Sequence, residues 1–182
     1  MLTKRLKIIY FSIFVVCFFT ILNSCNSEHG IAPKPIGEQE FGFGGNIVFY
    51  GVWPDSIKRM VLIVFKDPLL KPSDFVLQNI RLLSFELPLN VQTFQYSSND
   101  STIIPLIPDD ISPSVYNYIV VAQQSTDELS LFRKDWFVSG VYYVEGDTSS
   151  PGILTIPDDT YLENVNIYCD FDNPPPQPPG GN

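Results

Sequence analysis

The sequence predicts an all-β body, an antiparallel β-sandwich of about seven short strands. Three observations lead there. Runs of β-branched and aromatic residues recur from residue 45 to residue 171. Pro, Asp, Ser and Gly turns separate them. Only one stretch, 73–86, offers a helical alternative.

The chain opens differently. Lys4, Arg5 and Lys7 form a positive start, and Ile8 to Leu22 is apolar except for Ser12 and Thr20. A positive start before a short apolar core is the pattern of a secretory signal, here a signal-peptide helix over residues 1–24. The run is shorter than the roughly 20 residues that a membrane-spanning helix needs. It ends in Leu22-Asn23-Ser24-Cys25, which resembles the lipobox of bacterial lipoproteins. That resemblance implies cleavage between Ser24 and Cys25 and acylation of Cys25. Two or more acyl chains give a stable anchor where one gives marginal binding. Asn26 does not match the Asp that retains some lipoproteins in the inner membrane, so the expected address is the outer membrane.

Residues 25–43 read as the lipidated cysteine and a flexible tether without apolar periodicity. Fifteen extended residues, 26–40, reach at most about 50 Å.

The strands follow. Asn46 to Val52 is β-branched and aromatic, and Trp53-Pro54-Asp55-Ser56 turns the chain. Trp53 is expected to plug the end of the sandwich. Arg59 to Phe65 is apolar on both alternations, as in a central strand covered on both faces. For 73–86 the expectation is a short helix or turn, with a strand over Ile80 to Phe85 as the alternative. Val91 to Tyr96, Thr102 to Ile107, Tyr116 to Gln124, Trp136 to Val144, Gly152 to Ile156 and Val165 to Phe171 complete the set. Gly140 is placed where a bulge would fall. The body is thus 44–173, and Pro174 to Asn182 is a disordered or polyproline-like tail with nothing to bury.

Gly45-Asn46-Ile47-Val48-Phe49, the Trp53-Pro54-Asp55 turn, Val61 to Phe65, Tyr118 to Ala122 and the closing Asn164 to Ile167 with Asp170-Phe171 resemble carboxypeptidase regulatory-like domains. These are transthyretin-like, immunoglobulin-like sandwiches. The resemblance covers roughly residues 44–172 and implies a non-catalytic accessory or binding module in the cell envelope. Ser114-Val115-Tyr116 stands where that family often has a Gly-x-Tyr turn.

Charge and chemistry narrow the function. The chain has 20 acidic and 11 basic residues. Three of the basic ones precede residue 25, which leaves eight against 20 and a net charge of −12 for the mature protein. That balance disfavours nucleic acid as a partner. The one histidine, His29, lies in the tether, so the body has none for a triad or a histidine metal site. A transthyretin-like hydroxyisourate hydrolase needs histidines and a C-terminal Tyr-Arg-Gly-Ser motif, and both are missing. Cys17 leaves with the signal and Cys25 carries lipid, so Cys169 is alone and reads as a small buried hydrophobe.

Two readings of function stay open. In the first, the body is a binding or structural module that contacts protein or glycan, with Trp136, Tyr142 and Tyr143 as candidate contacts. Aromatic faces stack on sugar rings, although they also fill cores. In the second, it is a carboxylate-based hydrolase, with Ca²⁺ held by the repeated Ile-Pro-Asp-Asp turns at Asp109, Asp110, Asp158 and Asp159. Those turns lack the spacing of a dedicated calcium loop. The first reading calls for no cofactor and no catalytic residue.

Overall fold

The computed structural model describes residues 41–100, 103–104 and 112–181. The signal segment, Ser24, Cys25, most of the tether, Asp109 and Asp110 lie outside the described residues.

The body is all-β. Its strands are β1 (Gly42–Tyr50), β2 (Arg59–Phe65), β3 (Ile80–Ser84), β4 (Thr93–Ser97), β5 (Ile103–Ile104), β6 (Ser114–Tyr116), β7 (Tyr118–Gln124), β8 (Trp136–Tyr142), β9 (Leu154–Ile156), β10 (Tyr161–Leu162) and β11 (Ile167–Asp170). Among the described residues the helical turns are single 3₁₀ turns at Pro72–Asp74, Leu77–Asn79 and Arg133–Asp135. The ambiguous stretch therefore holds both alternatives in succession, two short turns and then the strand β3.

The strands join one curled sheet in the order β10-β1-β11-β8-β7-β2-β3-β5, with β4 on the other edge of β1. A second, two-stranded sheet pairs β6 with β9. The curled sheet is mixed, which corrects the expectation of antiparallel pairing throughout. β1 runs parallel to both β10 and β11, while its pairing with β4 is antiparallel. Alternation reports which face a residue takes and is blind to strand direction, so the sequence pattern gave no warning.

Two apolar clusters lie on opposite faces of the central strands. Met60, Leu62 and Val64 of β2 enter one, and Val61, Ile63 and Phe65 enter the other. Arg59 to Phe65 is thus covered on both faces, as its unbroken apolar run predicts. The first cluster also takes Phe43, Ile47 and Phe49 from β1 and Ile167 and Cys169 from β11. Since β1 and β2 stand four strands apart in the sheet order, this shared cluster requires the sheet to curl over itself. The segment between β3 and β4 bridges the two ends: Leu87 N–H donates to Met60 O at 2.8 Å, and Phe49 N–H donates to Gln92 O at 2.9 Å. The small sheet adds Tyr116, Leu154 and Ile156.

Two expectations need correction at the ends of the body. β1 begins at Gly42, inside the stretch assigned to the tether, and Phe43 is fully buried. A buried side chain of this size contributes about 1.5–3 kcal/mol. The glycines around Phe43 hid this strand, because they break the apolar alternation.

The tail also docks. Gln177 spans both backbone groups of Val138: Val138 N–H donates to Gln177 Oε1 and Gln177 Nε2 donates to Val138 O, each at 2.8 Å. Arg133, itself buried, donates to Pro178 O at 2.8 Å and to Trp136 O. A Pro-rich segment lacks donors of its own, but its carbonyls and one glutamine suffice to strap the second cluster.

Candidate functional site

Strand alternation builds the site. Ile47 and Phe49 point into the first cluster, so Asn46, Val48 and Tyr50 take the outer face of β1. Ile167 and Cys169 point inward on β11, so Tyr168 and Asp170 point out. Thr93 and Gln95 take the same outer face on β4, opposite Val48 and Asn46. Parallel pairing sets Tyr168 beside Val48 and Asp170 beside Tyr50. The two tyrosines are therefore diagonal neighbours. Their rings lie 6.3 Å apart, centroid to centroid, and 24° from parallel. Tyr50 is 51% exposed and Tyr168 55%.

The strands under this pair are held firmly. Trp53 packs on Phe49 and Phe171, with ring centroids 4.7 and 4.8 Å away, and plugs that end of the first cluster. Asp170 Oδ1 accepts from the N–H groups of Asp172 and Asn173, at 3.0 and 3.2 Å, and fixes the turn that leaves β11.

At the other end of the same face lies a polar cleft of about 430 Å³. Its floor is Gly44, Gly45 and Asn46; Gln95, Ser97 and Asp100 stand on one side and Tyr161, Glu163 and Asn164 on the other. Tyr161 lies across Gly44 and donates to Ser97 Oγ at 2.7 Å. A Cβ on Gly44 would fall 2.2 Å from the Tyr161 hydroxyl oxygen, so this placement requires glycine. Asn164, with φ 63°, turns the chain between β10 and β11, and Asn166 Oδ1 accepts from Asn46 N–H at 2.8 Å across that gap. From Asn46 to Tyr50 the strand covers about 13 Å. Cleft and tyrosine pair thus lie on one face of β1, with amides, hydroxyls and two carboxylates at one end and two aromatic rings at the other.

No family model, curated protein or solved structure matches this chain.

The residues singled out in the sequence fall elsewhere. Trp136 is buried in the second cluster, and its Nε1 donates to Ser130 O at 2.8 Å. Tyr143 packs on that cluster from its edge, whereas Tyr142 packs on the first. The three do not form one exposed strip. A bulge decides this: Val121 pairs with Gly140 and Ala122 with Val138, leaving Ser139 as an extra residue. One inserted residue reverses the faces beyond it, so Tyr142 leaves the face of Trp136 and Tyr143 takes it. Burial pushes the hydroxyls of Tyr142 and Tyr143 above the ordinary tyrosine range.

Asp158 and Asp159 sit in the turn after β9, where Asp158 O accepts from Thr160 Oγ1 and Asp159 has φ 60°. Among the described residues, no three His, Cys, Asp or Glu side chains gather as metal ligands. Cys169 is buried and free, and burial pushes its thiol well above the ordinary range.

The sequence reading missed Tyr50 and Tyr168 as site residues. The signal was present: each is a large aromatic on the polar side of an alternating run whose other side is Phe49 or Cys169.

Proposed function

We propose that this chain is a lipid-anchored module of the cell envelope, held at Cys25, whose body binds neutral glycan chains along the outer face of β1 without catalysing a reaction. In this reading the curled sheet acts as a sandwich of the transthyretin-like kind. The β4-β1-β11 layer carries the ligand on its outer side, and β2, β3 and β7 lie behind it.

The observation that carries the reading is the exposed, near-parallel Tyr50–Tyr168 pair on a face continuous with a polar cleft. Sugar rings offer apolar faces to aromatic rings and hydroxyls to amides and carboxylates. Tyrosine provides contact area at small entropic cost, because few torsions must be fixed. The acidic body favours uncharged glycans over anionic ones. The secretion pattern at 1–24 and the lipobox resemblance at Ser24 and Cys25 support the address, with the outer membrane as its expected destination. Mass spectrometry of the mature N-terminus tests the anchor directly: an acylated Cys25 is expected, and an unprocessed Met1 rules it out. A glycan array probed with the protein and with a Tyr50→Ala, Tyr168→Ala variant tests the binding face. Signals from neutral oligosaccharides are expected, and they should be lost in the variant.

One observation favours a second reading. Asp100 and Glu163 both line the cleft, as a hydrolytic carboxylate pair would. Both are exposed, in a setting that does not exclude water from a reacting bond. Reducing-sugar release from a bound oligosaccharide, abolished by Glu163→Gln or Asp100→Asn, would establish this reading in place of the first.

A further inference from the structure

The second cluster opens to solvent at an apolar groove of about 250 Å³, floored by Ile63, Leu83 and Trp136 and edged by Leu77, Leu129 and Leu131. The loop beside it presents large apolar side chains outward. Leu129 is 58% exposed, Leu131 64% and Phe132 70%.

This exposure is built in. Ser130, between the two leucines, is pinned inward: its carbonyl accepts from Trp136 Nε1 and from Gln124 Nε2, its N–H donates to Gln124 Oε1, and its hydroxyl bonds Asp135. Gln124 is itself fully buried. Fixing Ser130 inward turns its neighbours out.

Charge indicates what this surface meets. Among the described residues every Lys and Arg lies within 58–81, the segment that supplies most of the groove, or at 133–134, just before Trp136 on its floor. Pairs such as Lys58–Asp127 at 3.6 Å and Arg59–Glu86 at 3.1 Å neutralise this end. From residue 136 to 181 there are seven acidic residues and no basic one. A second copy carries the same negative excess, so two copies repel through the rest of the body and meet without that repulsion here. Area agrees. The exposed parts of Val76, Leu77, Leu129, Leu131 and Phe132 amount to on the order of 500 Å² per copy and about 1,000 Å² for two, the lower bound of a specific interface.

We propose that two copies of this chain pair two-fold through this surface, Phe132 of each seated in the groove of the other. Phe132 directly follows Leu131 of the groove's edge, so a two-fold axis seats both copies of the ring at once.

The test uses the full chain in its native membrane with Phe132→benzoylphenylalanine, a photoreactive residue. Irradiation is expected to give a product of twice the chain mass, with cross-linked peptides from residues 75–83. A Val76→Glu, Leu77→Glu background, in which both changed side chains are exposed, should retain the native circular dichroism and lower the yield at least about tenfold. Cross-links to lipid or to a different protein, absence of a doubled product, or an unchanged yield in that background would each overturn the proposal.

Discussion

Gly140 shows how little room this fold leaves a single atom. A Cβ there would lie 2.6 Å from Cys169 Sγ and 2.8 Å from the Tyr168 carbonyl oxygen, and a backbone carbonyl cannot step aside. Gly140→Ala is expected to destabilise the body by about 1–3 kcal/mol through overpacking, read from the midpoint of urea unfolding. The same neighbourhood sets a pH response. Burial raises the Cys169 thiol, and burial also raises the hydroxyls of Tyr96 and Tyr118. Up to about pH 8.5, the ordinary thiol value, folded and unfolded chains both keep these protons and the full stability is present. Above it the unfolded chain releases the thiol proton first, so stability falls as pH rises, and the tyrosines add to the fall above about pH 10. Melting temperatures taken from pH 7 to 10.5 should decline accordingly, and Cys169→Ala should remove the earliest part of the decline. The burial of Cys169 was legible from its place among Val165, Ile167 and Phe171. The partner that forces Gly140 to be glycine was not, because β11 arrives from far along the chain.

At the scale of elements, alternation located strands well where both flanks were clear. Arg59–Phe65 matches its expected span, and Tyr116 to Gln124 contains β7 whole. It failed where something other than side-chain hydrophobicity holds the chain. β10 is two residues long and is fixed by its pairing with Gly42 and Phe43, a contact without local signature. The tail is held by Gln177 and by carbonyls, which composition does not reveal. Gln177→Ala is expected to leave both Val138 backbone groups without their partner and to cost about 1–3 kcal/mol. Chemical denaturation checks this, and Pro176→Ala, at an exposed position, is the control and should be close to neutral. The bulge at Ser139 had its sequence mark in Gly140, yet its consequence for Tyr142 and Tyr143 follows only from counting faces on either side of it.

At the scale of the whole body, strand order gives the first and last strands a shared face. β1 and β11 lie side by side and in parallel, and that pairing alone brings Tyr50 to Tyr168. The sequence carried each tyrosine on the outward side of its own run; it did not carry their adjacency, since strand order is a property of the assembled sheet. Removing one ring should therefore weaken a ligand that spans both. Tyr168→Ala alone is expected to reduce affinity for a neutral oligosaccharide roughly tenfold, a loss of about 1.4 kcal/mol, without changing the unfolding free energy by more than about 0.5 kcal/mol, because the side chain is exposed. Calorimetric titration and urea unfolding of the same sample separate the two effects.

The most direct measurement is a nuclear magnetic resonance titration of the protein with neutral oligosaccharides, following the ring signals of Tyr50 and Tyr168 and the amide signals of Asn46 and Gln95. Saturable shifts are expected, confined to those residues and their neighbours on β1, β4 and β11. Saturable shifts centred elsewhere, or spectra unchanged by every neutral glycan offered, would contradict glycan binding on this face.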